Sequence, residues 1–141
     1  MGRKGLASLA AIGLAVVAIS GCTLTRGSSV VVGQKRDAID PASVKIYVQP
    51  PKKYEQIAIL SADARNAFAS QQNLTDNTIE RLKKEAAELG ANGILLSGIS
   101  NVQQGSSGVA YVNPGSPIVT GSSNAIMGKE GQGMAIYVIE E

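Results

Sequence analysis

The sequence predicts an α+β fold, an α/β-type small domain in which a single sheet of about four strands (β-β-α-β-β) carries one main helix on one face. Three patterns lead to this prediction. Apolar residues alternate with polar ones over 44–49, recur at spacings of three and four over 79–89, and alternate again over 134–139. Alternation is typical of a half-buried strand, and the wider spacing is typical of a helix with one apolar face. The compact domain is expected to span 43–141.

The first two predicted strands have different patterns. Val44, Ile46 and Val48 share one face, and Pro50 ends the strand because proline cannot donate to a ladder. Residues 57–60, Ile-Ala-Ile-Leu, are a continuous apolar run. Such a run favours a strand covered on both faces, so we place it near the centre of the sheet.

The helix is predicted from Thr75, as N-cap, to Gly90, the residue type best able to end a helix in a left-handed conformation. Its apolar face holds Ile79, Leu82, Ala86 and Leu89. Residues 63–73 before it fit either a short helix or an ordered loop over the core. Residues 94–96 follow as the next strand, and the resulting β-α-β crossover should be right-handed if its two strands are parallel neighbours.

Residues 103–133 have no clear periodicity and contain seven glycines and five serines. A stretch of this length without regular structure should be functional or mobile. Two interpretations are open. Residues 109–112 and 117–120 could form a hairpin around Pro114 and Gly115, which suit a type II turn, or the stretch could be a flexible Gly/Ser-rich loop. The last strand then covers 134–139.

The first 21 residues have the features of a cleaved lipoprotein signal peptide. Arg3 and Lys4 precede an uncharged run of 16 residues, shorter than the roughly 20 that span a bilayer as a helix. The run ends in Ile-Ser-Gly-Cys, which resembles a bacterial lipobox, and Cys22 is the only cysteine. We expect lipidation at Cys22, with two acyl chains for stable anchoring, and outer-membrane sorting from Thr23. Residues 22–42 are expected to be a flexible tether, in which 30–32 form either a short strand or a stray apolar patch.

Composition narrows the chemistry that the mature chain can perform. Of 13 Lys and Arg residues, Arg3 and Lys4 lie in the signal, which leaves 11 against 11 Asp and Glu, so nothing favours nucleic acid as a partner. The chain has no histidine, and lipidation would use its only thiol. We therefore expect no catalytic residue, cofactor or metal site. The carboxylates considered for catalysis are Asp37, Asp40, Glu55 and Asp63, and none lies in a known motif.

The run Leu-Lys-Lys-Glu-Ala-Ala-Glu-Leu-Gly-Ala-Asn-Gly-Ile-Leu-Leu at 82–96 resembles a helix-to-strand signature of small bacterial outer-membrane lipoproteins. These are the RcsF-like envelope-stress lipoproteins and related uncharacterised α/β lipoprotein families, and residues 40–47 and 54–60 fit the same pattern. The resemblance covers about 40–101. It implies a compact α/β domain displayed from the outer membrane that acts through protein contacts. RcsF-type sensors are stapled by disulfides, which this mature chain cannot form, so their stress-sensing role is not carried over.

Together these features predict a non-catalytic membrane-anchored lipoprotein of the bacterial envelope. We expect it to be held in the outer membrane by the Cys22 acyl chains, facing the periplasm. It should bind an envelope protein, or the cell wall, through an exposed sheet edge or the 103–133 loop. Two alternatives stay open: a carboxylate-dependent glycan hydrolase using Asp63 or Glu55, and a phage- or plasmid-type lipoprotein that blocks a surface receptor.

Overall fold

The computed structural model describes residues 23–66, 69–112, 114–115 and 119–141. The predicted signal peptide, Cys22 and Phe68 lie outside these residues. The described chain forms one mixed sheet with strand order β1-β3-β5-β4-β2 and one α-helix. In chain order the elements are β1 (Leu24–Val31), a short 3₁₀ helix (Pro41–Ser43), β2 (Lys45–Tyr47), β3 (Lys53–Arg65), α1 (Gln71–Glu88), β4 (Gly93–Val112) and β5 (Val119–Glu140).

The predicted four-strand α+β fold is wrong, because the chain is mostly sheet. β4 and β5 are 20 and 22 residues long. They pair antiparallel from Gly93↔Ile136 to Val112↔Val119, so most of 103–133 is a hairpin and not a flexible loop. Glycine and serine disfavour strands intrinsically, but strand preference depends strongly on the pairing available. Here the long ladder outweighs the composition.

A further strand comes from the segment expected to be a flexible tether. Leu24–Val31 forms β1 and pairs antiparallel with β3, from Leu24↔Arg65 to Val31↔Ala58. Gly27 allows this strand to pass close to the helix. A Cβ there would lie 2.4 Å from the Glu85 Oε1 and 2.7 Å from the Arg81 Nε. Small residues in this segment therefore serve packing against α1.

The segment after β1 follows the end of the helix. Arg36 N–H donates to the Leu89 carbonyl at 3.0 Å, and Ile39 N–H donates to the Ala87 carbonyl at 3.0 Å. The Arg36 guanidinium also forms an ion pair with Glu55 at 2.6 Å and lies 3.8 Å from the centre of the Tyr137 ring. The two backbone hydrogen bonds, from Arg36 and Ile39, satisfy carbonyls at the C-terminal end of α1, where the helix itself supplies too few donors.

The helix begins earlier than predicted. Ser70 is the N-cap, and its hydroxyl accepts from the Asn73 N–H at 3.2 Å. Thr75, the predicted cap, lies one turn inside and donates its hydroxyl to the Gln71 carbonyl at 2.9 Å. The predicted end is correct, because Gly90 follows the last turn with a φ of 75°.

The β-α-β crossover joins strands that are parallel but not neighbours. β3 and β4 both pair antiparallel with β5, which lies between them. The parallel neighbours in the sheet are β2 and β4. α1 therefore passes over β5 and packs mainly on β3 and β5.

The core lies between α1 and a surface of small residues on these two strands. Ala58, Ala62 and Ala135 are buried there. At Gly131 a Cβ would lie 2.8 Å from the Thr78 Cγ2 and 3.1 Å from the Leu82 Cδ1. The missing side chain at Gly131 is what lets these two helix residues approach the sheet.

We predict that Gly131→Ala destabilises the protein by about 1–3 kcal/mol, because the added methyl group overpacks the contact with α1. Gly98→Ala is the matched control, since no atom lies within 4 Å of its added Cβ. The control should be neutral or stabilise by about 0.4–1 kcal/mol through the unfolded chain. Urea unfolding of both variants tests this, and equal effects would contradict the proposed packing.

Candidate functional site

The outer edge of β4 is covered by a neighbouring strand only at its start. β2 pairs with Gly93–Leu95 and then ends. Among the described residues, no strand pairs with the outer side of 97–102, which we call the β4 edge. On its inner side this segment is backed by β5 and β3, as in the row Ser100↔Glu130↔Asp63. The β4 edge is thus held in place by β5 and β3 on one side, and on its outer side no other strand pairs with its backbone N–H and C=O groups among the described residues.

A shallow groove of about 280 Å³ lies on the sheet surface over β4 and β5, beside this edge. It is lined by Ser97, Gly98, Ile99, Ser100, Glu130 and Gln132. The Gln132 side-chain amide donates to the Glu130 Oε1 at 3.2 Å, which orients the carboxylate beside the groove. The β4 register shifts between Leu96 and Gly98, a bulge of the kind found at sheet edges and functional sites. Hydroxyl, amide and carboxylate groups together can receive the backbone and a basic side chain of an extended segment.

Beyond the β4 edge, the hairpin continues as two strands, with no third strand beside them among the described residues. We call 103–112 with 119–127 the distal ribbon. Its ladder runs from Gln103↔Met127 to Val112↔Val119, whereas β3 stops at Arg65↔Gly128. Near its tip, Val109, Tyr111 and Val112 are 59%, 68% and 70% exposed. A two-stranded ribbon is at best marginally stable in water, which favours a contact that stabilises it.

Neither the β4 edge nor the distal ribbon carries charge. Residues 89–128 contain no Asp, Glu, Lys or Arg. Soluble proteins usually protect exposed edges from pairing with other chains by placing charged residues, prolines or covering elements there. Within the described residues, these two surfaces therefore lack charged side chains that would disfavour pairing with another chain.

The structure does not bring the predicted carboxylates together. Glu55 and Asp63 lie on β3 eight positions apart, about 26 Å at the usual rise of a strand. A catalytic carboxylate pair needs roughly 5–10 Å. Asp40 caps the 3₁₀ helix by accepting from the Ala42 N–H at 2.8 Å, and Asp37 is exposed in the preceding segment.

Glu130 was not among the carboxylates considered from the sequence, because it falls in the stretch expected to be a loop. Glu130 is the cross-strand partner of Asp63, and Arg26 of β1 is the partner of Asp63 on the other side. This row lies on the sheet face away from α1. Two carboxylates directly opposite each other are destabilising, and Arg26 adds a positive charge to the same row. Within the described part of the chain, no group of three His, Cys, Asp or Glu residues could hold a metal ion.

A second polar cluster fastens the short edge strand β2 to the end of β5. The Lys45 ammonium and the Tyr47 hydroxyl both donate to the Glu141 Oε1, the latter at 3.0 Å. The hydrogen bond from Lys45, and then that from Tyr47, lowers the pKa of the Glu141 carboxyl below 4.5. The hydrogen bond to Glu141 raises the pKa of Lys45, and burial is the main cause of a raised pKa at Tyr47.

Comparison with known proteins leaves function open. No protein-family model and no curated protein matches the chain. A crystal structure of a Francisella virulence factor, FvfA, is similar at 16% identity with a TM-score of 0.46, over 78% of this chain and 97% of that chain. This likeness is too distant to support a conclusion, and the resemblance to RcsF-related lipoproteins stays a prediction. Among the described residues, no helix is long and apolar enough to cross a membrane.

We predict that the Glu141 side chain titrates below its ordinary pKa and that Lys45→Ala moves this pKa back up. Because the pKa is lowered in the folded protein, the contact exists at neutral pH and is lost as the pH falls through the folded-state pKa. Carboxyl chemical shifts followed by NMR across acidic pH measure this. An unchanged Glu141 pKa in Lys45→Ala would contradict the assignment.

Proposed function

We propose that this protein is a non-catalytic lipoprotein of the bacterial envelope, anchored in the outer membrane through Cys22 and facing the periplasm. It acts by binding another envelope protein, which adds an extended segment to the β4 edge. The observation that carries this proposal is the unpaired and uncharged outer side of 97–102.

Strand addition fits this surface because the edge supplies a row of free backbone N–H and C=O groups on a rigid support. Backbone hydrogen bonds give affinity in this binding mode, and pockets for alternate side chains give specificity. The groove beside the edge has room for such side chains, and the Glu130 carboxylate favours a basic one. The partner is therefore expected to present an extended segment with a Lys or Arg.

The two outermost strands, β1 and β2, differ from the β4 edge in carrying charged residues. β2 has only three residues and carries Lys45. β1 carries Arg26 and packs against α1. Short strands, charged side chains and covering helices are the usual means of preventing edge pairing. The contrast within one sheet supports a binding role for the β4 edge.

The anchoring part of the proposal rests on the lipobox and is supported by where the sheet begins. Cys22 is separated from Leu24, the first residue of β1, by Thr23 alone. A lipid on Cys22 would hold the sheet directly against the membrane. The absence of histidine from the chain and the separation of Glu55 from Asp63 support a binding role over a hydrolytic one.

We predict that the wild-type protein incorporates labelled palmitate and fractionates with the outer membrane. Cys22→Ala should incorporate none and leave the membrane fraction, because the chain has no other thiol. Metabolic labelling followed by membrane fractionation measures both properties. A wild-type protein that takes up no lipid would end the anchoring part of the proposal.

We predict that a photo-crosslinking residue at Gln132, in the groove wall, traps a defined partner in intact cells. The same residue at Lys84, on the exposed side of α1, is the matched control and should give no discrete adduct. Adducts are detected as shifted bands and identified by mass spectrometry. Identical patterns from both positions would contradict binding at the β4 edge.

Proline substitutions at Ser100 and Asn101 separate edge binding from stability. In a strand, successive N–H groups point to opposite sides, so one proline removes an outward N–H and the other removes a bond to β5. The proline that removes the outward N–H should abolish the crosslink from position 132. Its urea midpoint should stay closer to that of the wild type than the midpoint of the other proline variant. An adduct that survives both substitutions would rule out strand addition here.

A further inference from the structure

The start of the sheet and the distal ribbon leave the domain at the same end. Leu24 pairs with Arg65, which also pairs with Gly128 of β5. β1 and β5 both run antiparallel to β3, so they run in the same direction. β1 therefore begins at the end of the sheet from which the distal ribbon projects. Cys22 is attached at the end of the sheet from which this ribbon projects.

The distal ribbon reaches further than the lipid attachment does. Cys22 can lie at most about 7 Å from Leu24, because two residues span no more than that. The ribbon extends from Gln103 to Val112, about 33 Å beyond the end of β3 at the rise of an antiparallel strand. With lipid on Cys22 and the strands running along the membrane normal, the ribbon would therefore reach into the bilayer surface.

The side chains of the distal ribbon suit this position. It has no charged residue, so it avoids the largest cost of moving a segment into lipid. Val109, Tyr111 and Val112 are exposed near the tip. Tyrosine is enriched where membrane and water meet, because its ring is apolar and its hydroxyl is polar. At the opposite end of the sheet, Lys53 pairs with Glu140, and that end is charged.

Basic residues lie where the ribbon joins the sheet. Arg65 is in the row nearest the ribbon, and Lys129, opposite Ala64, is in the next. Asp63 and Glu130 come only in the third row, together with Arg26. The two rows nearest the ribbon therefore carry positive charge alone, which matches anionic lipid head groups.

We propose that the tip of the distal ribbon docks on the bilayer that holds Cys22, with Val109, Tyr111 and Val112 in its interfacial layer. This inference rests on the proposed lipid anchor. Insertion stops at the interface because the free backbone groups along both ribbon edges need water, which the hydrocarbon core does not supply. The lipoprotein thus has two contacts with the membrane, the acyl chains and the ribbon tip, and they fix how the β4 edge is presented.

A single tryptophan tests this directly, because the chain contains none. The full lipidated chain carrying Tyr111→Trp is reconstituted into vesicles with and without brominated lipid. We expect emission shifted to shorter wavelength and strong quenching by bromine. Ile139→Trp is the matched control, on an exposed residue near the far end of β5. It should emit as in water and stay unquenched.

Val112→Trp adds a reporter on the other face of the ribbon. Quenching at both 111 and 112 supports insertion tip first, and quenching at one alone supports a ribbon lying on the surface. Protein that floats with the vesicles while both tryptophans stay unquenched overturns the inference and leaves the lipid anchor intact. If wild type does not float, or Cys22→Ala floats equally well, the anchor is contradicted and the inference falls with it.

Discussion

The packing of α1 against small residues of β3 and β5 is the contact on which the rest of the structure depends. Ala62 and Ala135 are buried beneath the helix, and a side chain at Gly131 would collide with Thr78 and Leu82. Burial of apolar side chains gives most of the stability of a small domain, and close packing makes each added methyl group costly. The helix therefore fixes β5 at the centre, with β3 and β4 on either side of it.

This arrangement explains where the two proposed contact surfaces lie. Because β5 is longer than β3, its first part has only β4 as a partner, and the distal ribbon results. Because β2 covers only the start of β4, the β4 edge stays open. Gly27 lets β1 join the sheet beneath the Arg81 and Glu85 side chains, and this brings the chain near Cys22 to the ribbon end. The surfaces proposed for partner binding and membrane contact are thus formed by strands of unequal length on one helix-supported core.

Local patterns in the sequence predicted the elements with strong periodicity. Of the strand predicted over 44–49, only Lys45–Tyr47 forms β2, and Val48 is exposed. The apolar run at 57–60 lies within β3, but Ile59 is exposed, so the run is not covered on both faces. The helix end at Gly90 is as predicted, because a C-terminal glycine has a local cause. The helix start was placed one turn too late. Ser70 and Thr75 are both good caps, and tertiary context rather than local sequence decides between them.

β1 and the distal ribbon could not be predicted from local sequence patterns. Their Gly- and Ser-rich segments form strands because long-range pairing and contact with α1 stabilise them, and single-sequence patterns do not record such pairing. An exposed sheet edge or the 103–133 loop was expected to act in binding. Which edge is exposed depends on how the strands pair, and the sequence does not show that pairing. The pairing of Asp63 with Glu130 is likewise a matter of register alone. The absence of charge over 89–128 was the one signal in the sequence that marked this surface.

The central claim is that the sheet lies directly on the membrane with its ribbon end towards the lipid. Neutron reflectometry of the lipidated full chain on a supported bilayer measures this most directly, because it gives the protein density along the membrane normal. The account predicts protein density that begins within the head-group layer, with no water-filled gap before the domain. A water layer between the head groups and the protein, as a flexible tether would produce, would contradict it.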